Sequence, residues 1–385
     1  MISMNNSGFK FYITLFLILF LFHSNLLIKA QSSDTSVLKI VFAGDIMGHD
    51  GQIEGAYIDS TGGYDYEPTF RYVKPYLQSA DIAVGNLEVT LAGSPYKGYP
   101  QFSSPDSLAI EAEKAGFDIL INANNHALDG GTKGFNRTLT VLDNLKIIHT
   151  GTFLNDSIRQ RNYPLIVEKN DIRLGILNYT YGTNGLTINP PSVINRIDTS
   201  QIRLDLQKAK LAKPDFIFVT IHWGIEYERD ENMEQQKLAE FIIKKGADAV
   251  IGSHPHVIQP VKLYYPERND SNNFNIIVYS LGNFVSNQRA RYKDGGIVFE
   301  LSLKKTAGKT FVSDYNYLPT WVYREDKNGK SAFYILPVKL YTYNEKIFNF
   351  PDYEKYKIMQ YYNDTREHLK NIPENHFYDG FNLIR

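Results

Sequence analysis

The chain has 385 residues, 41 of them basic and 42 acidic, for a net charge of −1 at pH 7, and it contains no cysteine. Charge balance without a basic block argues against nucleic acid as a partner, and the lack of cysteine excludes disulfides, thiolate metal sites and a diacylglyceryl-cysteine anchor. The 27 Tyr and 23 Phe suit cores and half-buried strands as readily as sugar-stacking surfaces.

The chain begins with a lone cation, Lys10, an apolar run over 11–22, a polar break at His23-Ser24-Asn25, and Ala30 ahead of Gln31. This pattern predicts a secretory signal peptide over residues 1–30, cleaved near Ala30, and hence an exported protein that is periplasmic, extracellular or envelope-associated. The run is shorter than the roughly 20 apolar residues of a membrane span, and an uncleaved N-terminal anchor is the alternative. Roughly 355 residues would remain after cleavage, enough for one large domain with an appendage or for two domains.

A strand over 38–42 leads to Gly44-Asp45-Ile46-Met47. A loop rich in Gly and Asp (48–67) follows, then a helical stretch through Phe70 and Val73 to Leu77, and a strand over 82–84 that delivers Gly85-Asn86-Leu87-Glu88. A helix is expected from Ser104-Pro105, with the hydroxyl as N-cap, to Gly116. The strand 118–121 ends in Asn122-Ala123-Asn124-Asn125-His126-Ala127. Helix 132–145, strands 165–167 and 172–177, and helix 200–212, broken by Pro214, continue the pattern. Strand 216–221 runs into His222-Trp223-Gly224-Ile225-Glu226, helix 231–245 is closed by Gly246, and strand 249–251 leads to Gly252-Ser253-His254-Pro255-His256. Such βα repetition predicts an α/β protein, a sheet layered with helices.

Strands 276–280 and 297–303 lack an intervening helix and are expected to pair antiparallel. From residue 304 the character changes. Strands 317–325 and 331–336 flank Asn328-Gly329, a hairpin-turn signal, and 352–385 is Tyr-rich, charged and helical in its first part. The organisation expected is a main domain over 36–303 with a C-terminal appendage, 304–385, packed on it.

Asp45, Glu88, Asn125, His126, His222, His254 and His256 all fall just past strand C-termini, where open α/β sheets place their chemistry. A single histidine there is ordinarily a satisfied loop residue, but four of the chain's nine gather on one predicted edge with carboxylates and an amide. Imidazole with carboxylate suits Zn, Fe or Mn. Pro255 is expected to hold its neighbours extended, so that His254 and His256 reach a common centre. Asp45 reads alternatively as the N-cap of the next helix, and Glu88 as a solvated strand-end carboxylate that Gly85-Asn86 turns into the cleft. Asn125 and His126 are adjacent and point differently, so one can coordinate while the other moves a proton. Asn124, Ala127 and Asp129 shape the turn at Gly130-Gly131. Glu226 reads either as a carboxylate supporting the ligands or as a helix-cap charge. His149 reads as structural, and His23, His368 and His376 lie outside the pattern.

Six ordered motifs, Gly-Asp-Ile-Met, Gly-Asn-Leu-Glu, Asn-Asn-His-Ala-Leu-Asp-Gly-Gly, His-Trp-Gly-Ile-Glu-Tyr, Gly-Ser-His-Pro-His and Tyr-Ser-Leu-Gly-Asn-Phe, resemble the CapA family of bacterial capsule and poly-γ-glutamate synthesis proteins over residues 40–300. That family in turn resembles the calcineurin-like metallophosphoesterases, which implies a four-layer αββα sandwich with a two-metal centre at the strand ends. The resemblance gives Asp45 and His256 to one divalent ion, Asn125, His222 and His254 to the other, Glu88 as the bridge and His126 as proton donor to the leaving group. One or two ions (Mn, Zn or Fe) are implied. Two positions depart from the phosphoesterase pattern: Met47 stands where a histidine belongs, and Glu88 where an aspartate does. A thioether is a poor ligand for such ions, so the first site would be weak, empty or rescued by His49. The implied function is a secreted metal-dependent hydrolase acting in capsule or poly-γ-glutamate synthesis or processing, on an acidic polymer or phosphoester, with capsule-synthesis membrane proteins as possible partners. The alternatives are a non-catalytic polymer-binding export or anchoring component, and a metal-dependent γ-glutamyl amide hydrolase.

Overall fold

The computed structural model describes residues 35–265, 274–327 and 329–380. The expected signal peptide, 1–30, lies outside them, as does Asn328 of the expected turn. Apolar runs rich in Val, Ile and Phe supply the central parallel strands, buried on both faces, and less buried runs supply the other strands. Those of three residues or more are β1 (Thr35–Ile46), β2 (Ile82–Leu87), β3 (Ile119–Ile121), β4 (Ile148–Thr150), β5 (Leu165–Lys169), β6 (Ile172–Thr180), β7 (Phe216–His222), β8 (Ala249–Ser253), β9 (Val261–Tyr264), β10 (Asn275–Val278), β11 (Asn283–Val285), β12 (Gly295–Thr306), β13 (Lys309–Lys327) and β14 (Lys330–Pro337). They form two large sheets, ordered β14-β13-β12-β1-β2-β3-β4, with β11 beside β1, and β9-β10-β8-β7-β6-β5.

Side-chain alternation divides the second sheet cleanly. Leu174, Ile176, Phe216, Phe218, Ala249, Ile251, Ile276 and Val278 join the core shared with Leu38, Ile40 and Phe42 of the first sheet, and the Phe42 and Phe218 rings meet at 4.9 Å. The intervening residues Leu177, Ile217, Val219 and Val250 face a second cluster with Ile202, Leu206 and Ala209 of helix Thr199–Leu211 and Ala239, Ile242 and Ile243 of helix Met233–Lys245. The result is a mixed α/β fold of central sheets flanked by helices.

Four parallel strands are clamped at their amino ends by an aspartate that precedes each one. Asp81, Asp118, Asp215 and Asp248 accept the N–H of Lys39, Ala83, Arg173 and Ile217 at 2.7–2.8 Å. Each returns its own N–H to the carbonyl of the same residue, at 2.6–2.9 Å. Asp118, expected as the first strand residue, is thus the clamp before β3.

Several expectations are corrected. The helix expected from Ser104 begins at Ser107 and spans Ser107–Ala115. Ser104 is fully buried and its N–H bonds to the Thr90 carbonyl, because a residue preceding proline avoids the helical region. The helix expected from 231 begins at Met233, capped by Asn232 with Gln235 in a capping box. Strands 276–280 and 297–303 do not pair with each other. β10 pairs parallel with β8 and antiparallel with β9, whereas β12 lies in the other sheet between β1 and β13. The chain crosses between sheets at 279–282, where the Gly282 carbonyl is taken by the Asp45 N–H.

β12 runs through residue 304, and β13 and β14 extend the first sheet as a hairpin in register from Thr320↔Pro337 to Lys327↔Lys330. Helix Asp352–His368 packs on it through Tyr361, whose hydroxyl bonds to the Gly296 carbonyl. A buried network of Tyr76, Glu300, Asn316 and Asn375 ties down the chain that follows. No helix among the described residues is long and apolar enough to cross a membrane.

Candidate metal centre

The first carboxylate is aimed by a bulge. Against β2, β1 pairs Ala43↔Gly85 and then Asp45↔Asn86, so Gly44 is the extra residue, and on its other side β1 passes from β12 at Ala43↔Val298 to β11 at Asp45↔Asn283. A Cβ at Gly44 would lie 1.9 Å from the Gly282 carbonyl oxygen, so only glycine permits this approach. Asp45 is thereby buried at the strand end, where Asn86 Nδ2 donates to its Oδ1 at 2.8 Å and His256 Nδ1 lies 3.1 Å from its Oδ2. Asn86 and Glu88 are two residues apart on one strand and share a face.

From the second sheet, His222 closes β7. Its Nε2 lies 2.8 Å from Asn125 Oδ1 and 3.4 Å from Glu88 Oε1. His254 and His256 follow β8, but not as expected. Their φ angles are 103° and 58°, so Pro255 does not keep them extended; both occupy left-handed backbone that L-residues rarely adopt. Strain of this kind persists where surrounding structure enforces it and clusters at functional sites.

The ligand atoms of Glu88, His222 and His254, of Asp45, Glu88 and His256, and of Glu226, His254 and His256 each lie within 4.8 Å of one another. Of the seven residues named from the sequence, five therefore meet directly, and Asn125 joins through His222. His126 belongs to none of these clusters among the described residues. Its Nδ1 lies 2.6 Å from Asp129 Oδ2, and its ring meets Phe102 edge-on at 4.7 Å.

Burial governs the electrostatics. It pushes Glu88 well above the ordinary carboxylate range, with Asp45 adding to the rise. Burial pushes Asp45 up as well, but hydrogen bonding and charge from His256, with contributions from Glu88 and Asn86, bring it below its usual value. The His222 imidazole is driven well down by burial and then by His254 and His256, and His254 is brought down to about 3 by burial, then His256. Neutral imidazole is the form that binds metal. Glu88 Oε1 and His254 Nδ1 are buried without a hydrogen-bond partner, whereas buried polar groups are ordinarily satisfied. Opposed carboxylates, neutral imidazoles and orphaned donor atoms are the environment that a divalent cation completes.

Two residues do not enter the centre. The Met47 side chain is buried in the hydrophobic core. His49 joins none of the clusters; it caps helix Asp50–Ala56 in a capping box with Gln52, and burial lowers it to about 4. Asp45 does not take the capping role considered for it.

Three polar residues that support the centre and His126 were not candidates for that role in the sequence. Asn86 links Asp45 to Asn124, whose Nδ2 donates to Asn86 Oδ1 at 3.2 Å, and its i,i+2 spacing from Glu88 is the signal that could have found it. Asn283 Oδ1 lies 3.1 Å from His256 Nδ1, in a motif that carries the family resemblance. Asp129, expected only to shape a turn, orients His126. Outside the centre, Tyr181 packs on His254 with ring centroids 4.6 Å apart and lines two surface hollows of about 590 and 530 Å³.

Among solved structures, the chain is similar to the calcineurin-like phosphoesterase YfkN from Bacillus subtilis, with 14% identity and a TM-score of 0.43 over 78% of this chain and 90% of that one. A phosphatase from Mycoplasma pneumoniae is 14% identical with a TM-score of 0.41, over 74% of this chain and 94% of that one. By sequence, the chain is 32% identical to the PGA biosynthesis protein CapA of Bacillus subtilis (strain 168), covering 74% of this chain and 72% of that protein. It is 29% identical to the capsule biosynthesis protein CapA of Bacillus anthracis, covering 68% of this chain and 63% of that protein. Residues 39–288, which contain every member of the three clusters, match the family model for the bacterial capsule synthesis protein PGA_cap, and the chain belongs to that family.

Proposed function

We propose that this protein is an exported, metal-dependent hydrolase of the capsule-synthesis family, acting on a phosphoester or related bond of an acidic polymer during capsule or poly-γ-glutamate synthesis or processing. The observation that supports this most directly is the overlap of the Asp45-Glu88-His256 and Glu88-His222-His254 clusters at one sheet edge. We read the layering of two sheets between helices as the four-layer αββα sandwich of the metallophosphoesterases. In this reading Asp45 and His256 would hold one divalent ion, Asn125, His222 and His254 would hold the other, and Glu88 would be shared between the two.

Paired dications lower the pKa of water toward neutrality and offset phosphoryl charge. Asn86 and Asn283 fix the orientations of Asp45 and His256. His126 acts as proton donor to the leaving oxygen: Asp129 accepts from its Nδ1, leaving Nε2 for the substrate, and the carboxylate offsets the charge of a doubly protonated ring. The two hollows that Tyr181 lines give an extended chain room to approach. Export rests on the N-terminal pattern and on family membership, and capsule-synthesis membrane proteins are the partners that membership suggests.

Elemental analysis of the mature protein after exposure to Mn, Zn and Fe, with turnover measured on a chromogenic phosphodiester and on a γ-glutamyl amide, tests the reading. One or two ions per chain with diester cleavage is the expected result. Cleavage of the amide alone would make the protein a polymer amidase, and no metal uptake would overturn the hydrolase. One observation favours a second reading, a polymer-binding component without turnover. Met47 turns into the core at the position where the phosphoesterase pattern carries a ligand.

A further inference from the structure

We infer that Glu226 is a ligand of this centre, supplying from the solvent-exposed side a contact that Met47 cannot make; the inference rests on the metal-binding reading above. The Glu226 carboxylate and the His254 and His256 imidazoles have ligand atoms within 4.8 Å of one another. Bonds of about 2.0–2.2 Å to oxygen and nitrogen leave two donors at most about 4.4 Å apart, so a trio within 4.8 Å needs at most a few tenths of an ångström of side-chain adjustment to hold one cation. Each of the two imidazoles also belongs to a cluster with Glu88. They are therefore shared between a fully buried carboxylate and an exposed one.

The backbone holds Glu226 in this place. The Trp223 N–H donates to the Ser253 carbonyl at 3.1 Å and the Tyr227 N–H to the Pro255 carbonyl at 2.8 Å, lacing the turn that carries Glu226 against the His254-Pro255-His256 loop. The turn reverses through left-handed positions at Gly224, φ 90°, and Tyr227, φ 71°, the second an uncommon conformation for a bulky residue. The helix-cap role that the sequence left open belongs to Asn232. Among the described residues, Lys262 and Arg291 pair with Glu231 and Asp364 rather than with Glu226. A third carboxylate also brings the donor set closer to the charge of two dications than Asp45 and Glu88 do alone. Exposed carboxylates are common without any ion; what sets this one apart is its registration against two strained, buried imidazoles.

The test is a titration of metal-stripped mature protein with Mn²⁺, following free Mn²⁺ by paramagnetic resonance and heat by calorimetry. It compares the native sequence with Glu226→Gln and with Glu228→Gln, an exposed neighbour outside all three clusters. Glu226→Gln is expected to weaken one Mn²⁺ by roughly tenfold or more, the scale on which perturbing a metal site's ligand support acts, while Glu228→Gln leaves the titration unchanged. Equal Mn²⁺ affinity in the native and Glu226→Gln proteins overturns the assignment while leaving the hydrolase reading intact. Equal weakening in both variants also overturns it, since the effect is then one of general charge. A native protein that takes up no Mn²⁺, Zn²⁺ or Fe²⁺ removes the ligand and the hydrolase together.

Discussion

The two ends of the parallel strands place buried and half-buried acids in opposite circumstances. At the amino ends, Asp81, Asp118, Asp215 and Asp248 each exchange a pair of hydrogen bonds with one residue of the neighbouring strand. At the carboxyl ends, Asp45 and Glu88 are fully buried beside one another, Glu88 Oε1 and His254 Nδ1 have no hydrogen-bond partner, and His254 and His256 sit in strained backbone. An acid whose hydrogen bonds close locally ties two strands together and asks for no ligand. A buried acid with an oxygen left unsatisfied, and neutral imidazoles aimed at it, costs stability that a bound cation would recover. The contrast predicts that substitutions at the carboxyl ends change metal binding and turnover, while those at the amino ends change stability alone.

The largest effects fall at the open end. His126→Ala should lower turnover by about 10²–10⁴, the usual contribution of a general acid, and keep its metal, because His126 contacts Asp129 and lies outside the metal clusters. His254→Ala should lose metal and turnover together. With metal at about 100 times its Kd, ligation adds about 2.7 kcal/mol to stability, so thermal melts with and without metal should separate for His126→Ala and coincide for His254→Ala. Metal loss from His126→Ala would make His126 a ligand and move Asn125 out of the coordination sphere.

Much of this contrast is legible in the sequence, and unevenly. Apolar runs such as 216–221 announce buried strands, and the polar motifs at their ends announce the site, because both signals are local. Partners that depend on long-range register are not local. The antiparallel pairing expected of 276–280 and 297–303 failed because the chain changes sheets between them. The short β11 between them pairs with β1 and brings Asn283 beside His256. The left-handed backbone at His254 and His256 is equally hidden, since local sterics around Pro255 favour extended neighbours and tertiary contacts override them. The fourfold placement of Asp before a strand was present in the sequence, at 81, 118, 215 and 248, but isolated aspartates there read as ordinary loop residues.

Smaller effects belong to the closed end. Asp215→Ala removes the acceptor of the Arg173 N–H, at 2.8 Å, and of Lys305 Nζ, at 2.8 Å. An unsatisfied backbone donor and a lost surface pair together should cost about 1–3 kcal/mol. Urea denaturation should register that loss while metal stoichiometry and turnover per folded molecule stay constant. A fall in metal affinity of the size seen for His254→Ala would erase the division between the two ends.

The finest test of the closed end is its pH dependence at Asp248. Burial pushes this carboxyl up from 3.8 to about 6, against the opposing pull of the Ile217 N–H and of Lys210. Between these values the folded protein holds a proton that the unfolded chain has released, so stability falls as pH rises. The favourable contribution of the protonated acid is complete below about pH 4 and is lost as pH rises through about 6. An amide in place of the acid would keep an oxygen for the Ile217 N–H and ionise at no pH. Asp248→Asn should therefore be more stable than the native sequence at pH 7, by on the order of 1 kcal/mol once partial exposure of the carboxyl is allowed for. Near pH 4 that advantage should vanish. The comparison is made in urea at both pH values on metal-free protein, so that titration of the histidine cluster, common to both chains, cancels. A stability difference independent of pH would mean that the Ile217 hydrogen bond, and not the cost of burying charge, controls this acid.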